Sequence, residues 1–336
     1  MAFKSFDPED FVVSSDSITS TLWSNGSPTL TEFYTSSVQA AGSSGNYYLS
    51  VYQTASNLST AQVQFDIAYA DLLGSGSTLY NSLVPENSYT KTIYGQYRSL
   101  ILEDENASFT FGAGNNILTG SFFWVLSIER ANYKQSLFPG SLNLQLSGSG
   151  GTINLTDDSL DNPVSVFLGS TRVYQLISGS NGTAGTSGNG YINNSGSYGL
   201  VFPDLGTILI NPFAVSQSIQ LFPSRSNNSD GLNTQRLFEA ISLGDSFALN
   251  SQETITSDYV FVRARNSEFN YSENPSFISG STGEVIYSNF INAPQVYITT
   301  VGMYNDSNDL LAVAKMSRPL LKDFTKEALV RVKLDF

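Results

Sequence analysis

The sequence of 336 residues contains no cysteine and no histidine. Thiol nucleophiles, triads built on an imidazole base and zinc sites of the usual cysteine–histidine type are therefore excluded. Disulfides are excluded as well, which is typical of a protein that folds in a reducing cytosol. Carboxylate, lysine, tyrosine or Ser-Lys chemistry remains open, together with hard cations that prefer oxygen ligands.

Charged residues are scarce, at 13% of the chain, about half the usual share. Hydroxyl and amide side chains must therefore cover the surface, and they are cheaper to bury against a neighbour than unpaired charges are. The net charge of −13 and the scattered basic residues argue against nucleic-acid binding. One modest basic cluster lies near the end of the chain: Lys315, Arg318, Lys322, Lys326, Arg331 and Lys333.

Long apolar runs are also missing, since no stretch approaches the roughly eighteen residues of a membrane-spanning helix. The first ten residues hold four charges and no apolar run. We therefore expect neither a secretory signal nor a membrane segment, and synthesis in the cytoplasm.

Alternating and continuous apolar patterns predict β-strands along most of the chain. The run Phe122–Ile128 is apolar except for Ser127 and predicts a strand buried on both faces. Three alternating patterns each predict a strand with one buried face. They are formed by Val63, Phe65, Ile67 and Tyr69, by Leu142, Leu144 and Leu146, and by Val330, Val332, Leu334 and Phe336 at the C-terminal end.

Helical spacing appears in two segments, residues 86–102 and residues 234–242. Gly244 is expected to terminate the second helix. Residues 178–197, rich in glycine and serine, predict a long loop or hairpin tip, and residues 305–309 predict a turn. The sequence thus predicts a mainly β fold with a few short helices, β-sandwich-like domains and a C-terminal strand in a sheet. Its expected parts are an extended arm (1–45), a β-rich domain with one helix (46–215) and a C-terminal β-rich domain (216–336).

Acidic residues offer three candidate sites. The run Glu103, Asp104 and Glu105 could supply an acid–base pair for glycan cleavage, but we interpret it as a charged helix end running into a loop. Two groups could offer oxygen ligands to Ca²⁺ but lack the twelve-residue loop pattern, so solvated turns are expected. These groups are Asp157, Asp158 and Asp161, and Asp306, Asn308 and Asp309. We predict no catalytic residue, no cofactor and no metal site.

Two segments are candidate interfaces. In residues 268–275, Phe269 and Tyr271 either anchor a neighbouring subunit or dock the loop on its own domain. The basic residues Lys315, Arg318, Lys322, Arg331 and Lys333 are a candidate contact for an acidic neighbour, or else the outer face of a half-exposed sheet.

Five runs of sequence carry a resemblance to a known family. They are IYGQYRSL (93–100), RANYK with LFPGS (130–134 and 137–141), YGLVFPD (198–204), NSEFNYSENP (266–275) and YITTVGMY (297–304) with the chain that follows to 336. These runs resemble virion structural proteins, associated with the tail or baseplate, of large contractile-tailed T-even-like bacteriophages such as cyanomyophages. The last two runs are the most specific, and together the five cover the chain from about residue 89 onwards, with gaps between them.

The resemblance implies a structural component of the virion tail or baseplate that acts through contacts with other virion proteins. Multiple copies around the tail axis, no enzymatic activity and no contact with nucleic acid or membrane are expected. A receptor-binding or fibre-attachment module that recognises host glycans is the alternative, and a tail-associated glycan hydrolase is the third hypothesis.

Overall fold

The computed structural model describes residues 4–35, 48–76, 88–162, 166–185, 189–225, 232–272 and 274–335. The fold is mainly β with a few short helices, as predicted. The chain forms two compact units, which we call the terminal unit (Met1–Ser17 with Thr254–Phe336) and the central unit (Ile18–Glu253). This division differs from the expected boundaries after residues 45 and 215, because strand pairing joins the first residues to the last third of the chain.

The described strands and helices have the following bounds. The strands are β1 (Phe11–Thr21), β2 (Thr29–Leu30), β3 (Tyr34–Thr35), β4 (Tyr48–Tyr52), β5 (Val63–Asp71), β6 (Phe109–Ala113), β7 (Asn116–Gly120), β8 (Phe122–Ile128), β9 (Ser136–Leu137), β10 (Asn143–Gly148), β11 (Gly151–Asp157), β12 (Val166–Leu168), β13 (Thr171–Ser180), β14 (Thr183–Ala184), β15 (Gly199–Phe202), β16 (Thr207–Ile210), β17 (Phe247–Ala248), β18 (Asn250–Ala264), β19 (Val296–Tyr304), β20 (Leu310–Lys322) and β21 (Ala328–Asp335). The α-helices are α1 (Tyr89–Leu102), α2 (Pro212–Ile219), α3 (Leu232–Gly244) and α4 (Asn289–Asn292), and short 3-10 helices cover Pro8–Asp10 and Arg130–Asn132.

The central unit is built on one long sheet of antiparallel pairs. Its strand order is β2-β17-β10-β11-β13-β15-β16-β8-β5-β4-β3, with β12 and β14 paired to β13. Helix α3 packs on β10 and also on β4 and β5, which lie in the opposite half of this order, so the sheet curls around the helix. The rings of Trp23, Phe65 of β5 and Phe247 of β17 pack against one another, with centroids 4.9 to 6.2 Å apart. This contact joins strands from opposite halves of the strand order.

Both faces of this sheet are covered. The inner face packs on α2 and α3, and the outer face packs on α1 and the β6–β7 hairpin. Strand β8 confirms the predicted two-sided burial, since Trp124 lies in the inner cluster and Phe123 in the outer one. Strand β5 departs from the prediction of one buried face, because α1 also covers Ala68 and Ala70 on its second face.

Two α-helices match predicted segments, and two, α2 and the four-residue α4, were missed. Helix α1 begins at Tyr89 and ends at Leu102, and the following Glu103 is left-handed at φ 56°; residues 86 and 87 lie outside the described part. Helix α3 contains Gly244 as its last residue, and the left-handed position is the following Asp245. Helix α2 was not predicted, although Asn211 accepts the N–H of Phe213 and a proline follows it, a common helix start.

The terminal unit contains a sheet in the order β1-β18-β21 and the separate β19–β20 hairpin. A small core joins Val260, Met303 and Val332. The alternation predicted for the last strand is confirmed, since Val332 is buried and Arg331 and Lys333 are exposed; Phe336 lies outside the described residues. The predicted turn at 305–309 is also confirmed, since it connects β19 to β20.

Candidate interaction surfaces

The acidic run at 103–105 lies at the end of α1, as interpreted from the sequence. Glu103 closes the helix, and its Oε1 accepts the N–H of Ser170 at 3.2 Å. Asp104 Oδ1 accepts the N–H of Asn106 at 2.8 Å. These two carboxylates therefore hold the loop backbone.

The second acidic group differs from the expected solvated turn, because Asp157 and Asp158 are buried. Asp157 accepts the N–H groups of Gly140 and Ser159, and Asp158 accepts the N–H of Gln175 at 2.8 Å. Burial raises the pKa of Asp158. The carboxylates stabilise the loops beside β11, and no group of three or more acidic side chains within the described residues is arranged to hold a metal ion.

The third group forms the tip of the β19–β20 hairpin. The Asn305 N–H donates to the Asp309 carbonyl, and the Asp309 N–H donates to Asn305 Oδ1 at 2.7 Å. Asn308 is left-handed at φ 63°, which asparagine tolerates well. These residues make a solvated turn, as expected.

In the aromatic loop at 268–275, the two candidate anchors have different surroundings. Tyr271 is 62% exposed, whereas Phe269 is half-buried and left-handed at φ 53°. Glu268 accepts the N–H of Arg265 and forms an ion pair with Lys4 at 3.1 Å, and these contacts lower its pKa. The loop is therefore fixed on its own unit and presents Tyr271 to its surroundings.

Lys322 is not part of the basic surface that the sequence predicts, because it is fully buried. Its Nζ donates to Asn270 Oδ1 at 2.7 Å and to the carbonyls of Asn266 and Asp323 at 3.0 and 3.1 Å. A buried ammonium needs such oxygens to replace water. Lys322 thus fixes the backbone that precedes the aromatic loop.

The remaining basic candidates are exposed on two elements. Arg331 and Lys333 lie on the outward face of β21, opposite Phe261 and Tyr259 of β18. The guanidinium of Arg331 lies 5.4 Å from the ring centre of Tyr259. Asp335, 2.8 Å from Lys333, raises the pKa of that lysine. Lys315 and Arg318 are exposed on β20.

The structure reveals a further surface that the sequence analysis missed. The terminal unit exposes many large apolar side chains on β1 and on the β19–β20 hairpin. Three consecutive β-favouring residues at the start of β1 could have indicated a strand, but the serine-rich context suggested only an extended arm. The exposed set is Phe11, Val12 and Val13 on β1, and Tyr297, Leu310, Leu311 and Val313 on the hairpin.

Comparison with protein-family models, curated proteins and solved structures gives no match to this chain. Across the described ranges, none of the helices combines the length and apolar character that crossing a bilayer requires.

Proposed function

We propose that this protein is a structural component of a tailed-phage virion, located in the tail or baseplate, and that it acts through contacts with other virion subunits. The observation that carries the assembly role is the apolar surface of the terminal unit. Val13 on β1 and Leu311 on β20 are the most exposed large apolar residues of their strands, each at 69%. Exposed apolar patches mark surfaces that bind partners.

The assignment to a phage tail rests on the resemblance of the five sequence runs. A non-catalytic role is supported by the geometry of the acidic candidates, because Glu103, Asp104, Asp157 and Asp158 all accept backbone N–H groups. These bonds give each of the four carboxylates a structural role in holding its loop.

Quantitative mass spectrometry of purified particles tests this proposal. We expect the protein in particles of the phage that encodes it, at a stoichiometry of several copies, and at a constant ratio to tail proteins across a density gradient. An antibody against the protein should label tails in electron micrographs. Recovery only from the soluble lysate, with none in particles, would overturn the proposal.

A second candidate is a receptor-binding module, which Tyr271 favours. Its ring is 62% exposed on a loop that Lys322 and Lys4 hold in place. Rigid exposed aromatic rings suit the stacking of sugar faces. In this case the purified protein should block adsorption of the phage to its host, and Tyr271→Ala should remove the blocking while Tyr297→Ala, equally exposed on the hairpin, should not.

A further inference from the structure

The sheet of the terminal unit has two different edges. Strand β1 lies on one side of β18 and β21 lies on the other, and no further strand within the described residues pairs with either edge. Side chains of β1 are exposed along almost its whole length. An unpaired edge strand offers a row of N–H and C=O groups to another strand, and soluble monomers usually protect such edges with lysine, proline or a covering segment. Strand β1 contains neither lysine nor proline.

The two edges also carry opposite charge. Asp16 is the one charged residue of β1, it follows the acidic turn of Asp7, Glu9 and Asp10, and residues 5–90 contain no lysine or arginine. Strand β21 presents Arg331, Lys333 and Asp335 on its outward face, which leaves that face with a net positive charge. Within one sheet Asp16 lies close enough to Lys333 to contribute to its raised pKa. Asp16 and Lys333 are therefore near each other across β18, on the two edge strands.

We propose that copies of this chain join head to tail, with edge strand β1 of one copy paired to edge strand β21 of the next. The acidic edge then meets the basic edge, so that Asp16 of each copy lies beside Lys333 and Arg331 of its neighbour. Pairing of β1 with a second β1 would instead bring two acidic segments together. A contact between two different surfaces of one chain is heterologous and produces a ring or a filament.

This inference rests on the proposed assembly role but does not require a phage tail. It names the partner as a second copy of the chain and the contact as a β-sheet that continues across the subunit boundary. The added strand pairing covers part of the apolar side chains at the start of β1, which one chain leaves exposed.

Sedimentation velocity of the purified full-length protein over a range of concentrations tests the proposal. The wild type should form oligomers whose fraction rises with concentration. Val13→Lys places a cation on β1 opposite the basic edge, and it should weaken association at least about tenfold. Leu243→Lys is the matched control, since Leu243 has a similar exposure of 70% but lies on α3 of the central unit, and it should leave association unchanged.

A charge exchange tests the pairing of the two edges. Asp16→Lys and Lys333→Glu should each weaken association, and the double variant D16K/K333E should restore it, because the opposite charges again meet. Thermal melts by circular dichroism check that each variant is folded. A wild type that stays monomeric at the highest concentration, equal loss in Val13→Lys and Leu243→Lys, or a double variant weaker than both single variants would overturn the proposal.

The outcomes separate this inference from the proposed function. A chain that assembles as described but is absent from virions overturns only the phage-tail assignment. A chain that is present in virions but monomeric in solution overturns only the head-to-tail pairing.

Discussion

At the scale of single residues, Lys322 shows how a basic side chain can serve the interior. Its ammonium donates to the side chain of Asn270 and to two backbone carbonyls, and it is fully buried. Lys322→Met keeps the stem but leaves these acceptors without their donor, which costs about 1–3 kcal/mol for a buried polar group. We predict faster amide hydrogen exchange in residues 266–270 and a lower unfolding midpoint in urea by circular dichroism.

Lys315→Met is the control for this prediction, because Lys315 lies on the same strand and is exposed. Its effect on stability should stay within about 0.5 kcal/mol. Equal exchange rates in the two variants would show that the oxygens around Lys322 are satisfied without it.

Two helical glycines are predicted to respond in opposite directions. A Cβ at Gly244 would lie 2.1 Å from the carbonyl oxygen of Gln145, so Gly244→Ala should destabilise the central unit by about 1–3 kcal/mol through overpacking. Gly95 in α1 has open space around it, so Gly95→Ala should stabilise by about 0.5–1 kcal/mol. Urea unfolding followed by the fluorescence of Trp23 and Trp124, both in the central unit, measures each change. Shifts of the same sign would contradict the close packing of α3 on β10.

At the scale of elements, periodicity predicted the strands whose side chains alternate and the helices with one apolar face. Strand β8 was predicted because an apolar run of that length, interrupted only by Ser127, suits a central strand. Helix α2 was missed because it is short and directly follows β16, which gives little periodic signal, although its Asn211-Pro212 start is a recognisable cap. The β6–β7 hairpin was also missed, since its two five-residue strands are close to the minimum for a pattern.

Strand β21 supports a prediction at this scale. It supplies Val330, Val332 and Leu334 to the small core of the terminal unit. Fully burying such a side chain contributes about 1.5–3 kcal/mol, which is large against a typical total stability of about 5–15 kcal/mol. Deletion of residues 329–336 should therefore unfold the terminal unit and make the protein insoluble, as a pelleting assay would show.

The central unit has its own two cores and should survive this deletion. Any soluble fraction should keep native tryptophan fluorescence and lose protease protection only in the terminal unit, residues 1–17 and 254–328. The double substitution Arg331→Thr and Lys333→Thr, which keeps the strand and its inward side chains, should leave folding intact. A deletion variant with full protection would mean that β21 contributes little to the core.

At the scale of the whole molecule, the sequence could not reveal that the terminal unit is discontinuous. The strand order β1-β18-β21 brings residues 11–21 beside residues 250–264, and such a long-range pairing leaves no local periodic signal. For the same reason the local sequence around β1 indicates only an extended arm, and the sequence places Lys322 among surface cations that are its neighbours only along the chain. Local patterns predict elements, whereas burial depends on which elements meet.

The two units should respond oppositely to acid. Burial raises the pKa of Asp66 and Asp158 in the central unit, so their folded forms bind a proton more tightly than the unfolded chain does. As pH falls from about 7 to about 4, the ordinary range of a carboxyl pKa, these groups become protonated and the central unit gains stability. Hydrogen bonds to the carboxylates lower the pKa of Glu268, Asp323 and Asp335 in the terminal unit, whose contribution is lost as pH falls below about 4.

We therefore expect the urea midpoint of unfolding, followed by tryptophan fluorescence, to rise as pH falls from about 7 to about 4. Amide exchange of the terminal unit should accelerate only at lower pH. Asp66→Asn removes one of the buried charges, so it should raise the midpoint at neutral pH and flatten its dependence on pH. Asp245→Asn is the control, because Asp245 is exposed and its left-handed conformation suits asparagine. The opposite result is a urea midpoint, followed by tryptophan fluorescence, that decreases as pH falls from about 7 to about 4. It would show that Asp66 and Asp158 do not control the response of the central unit to acid.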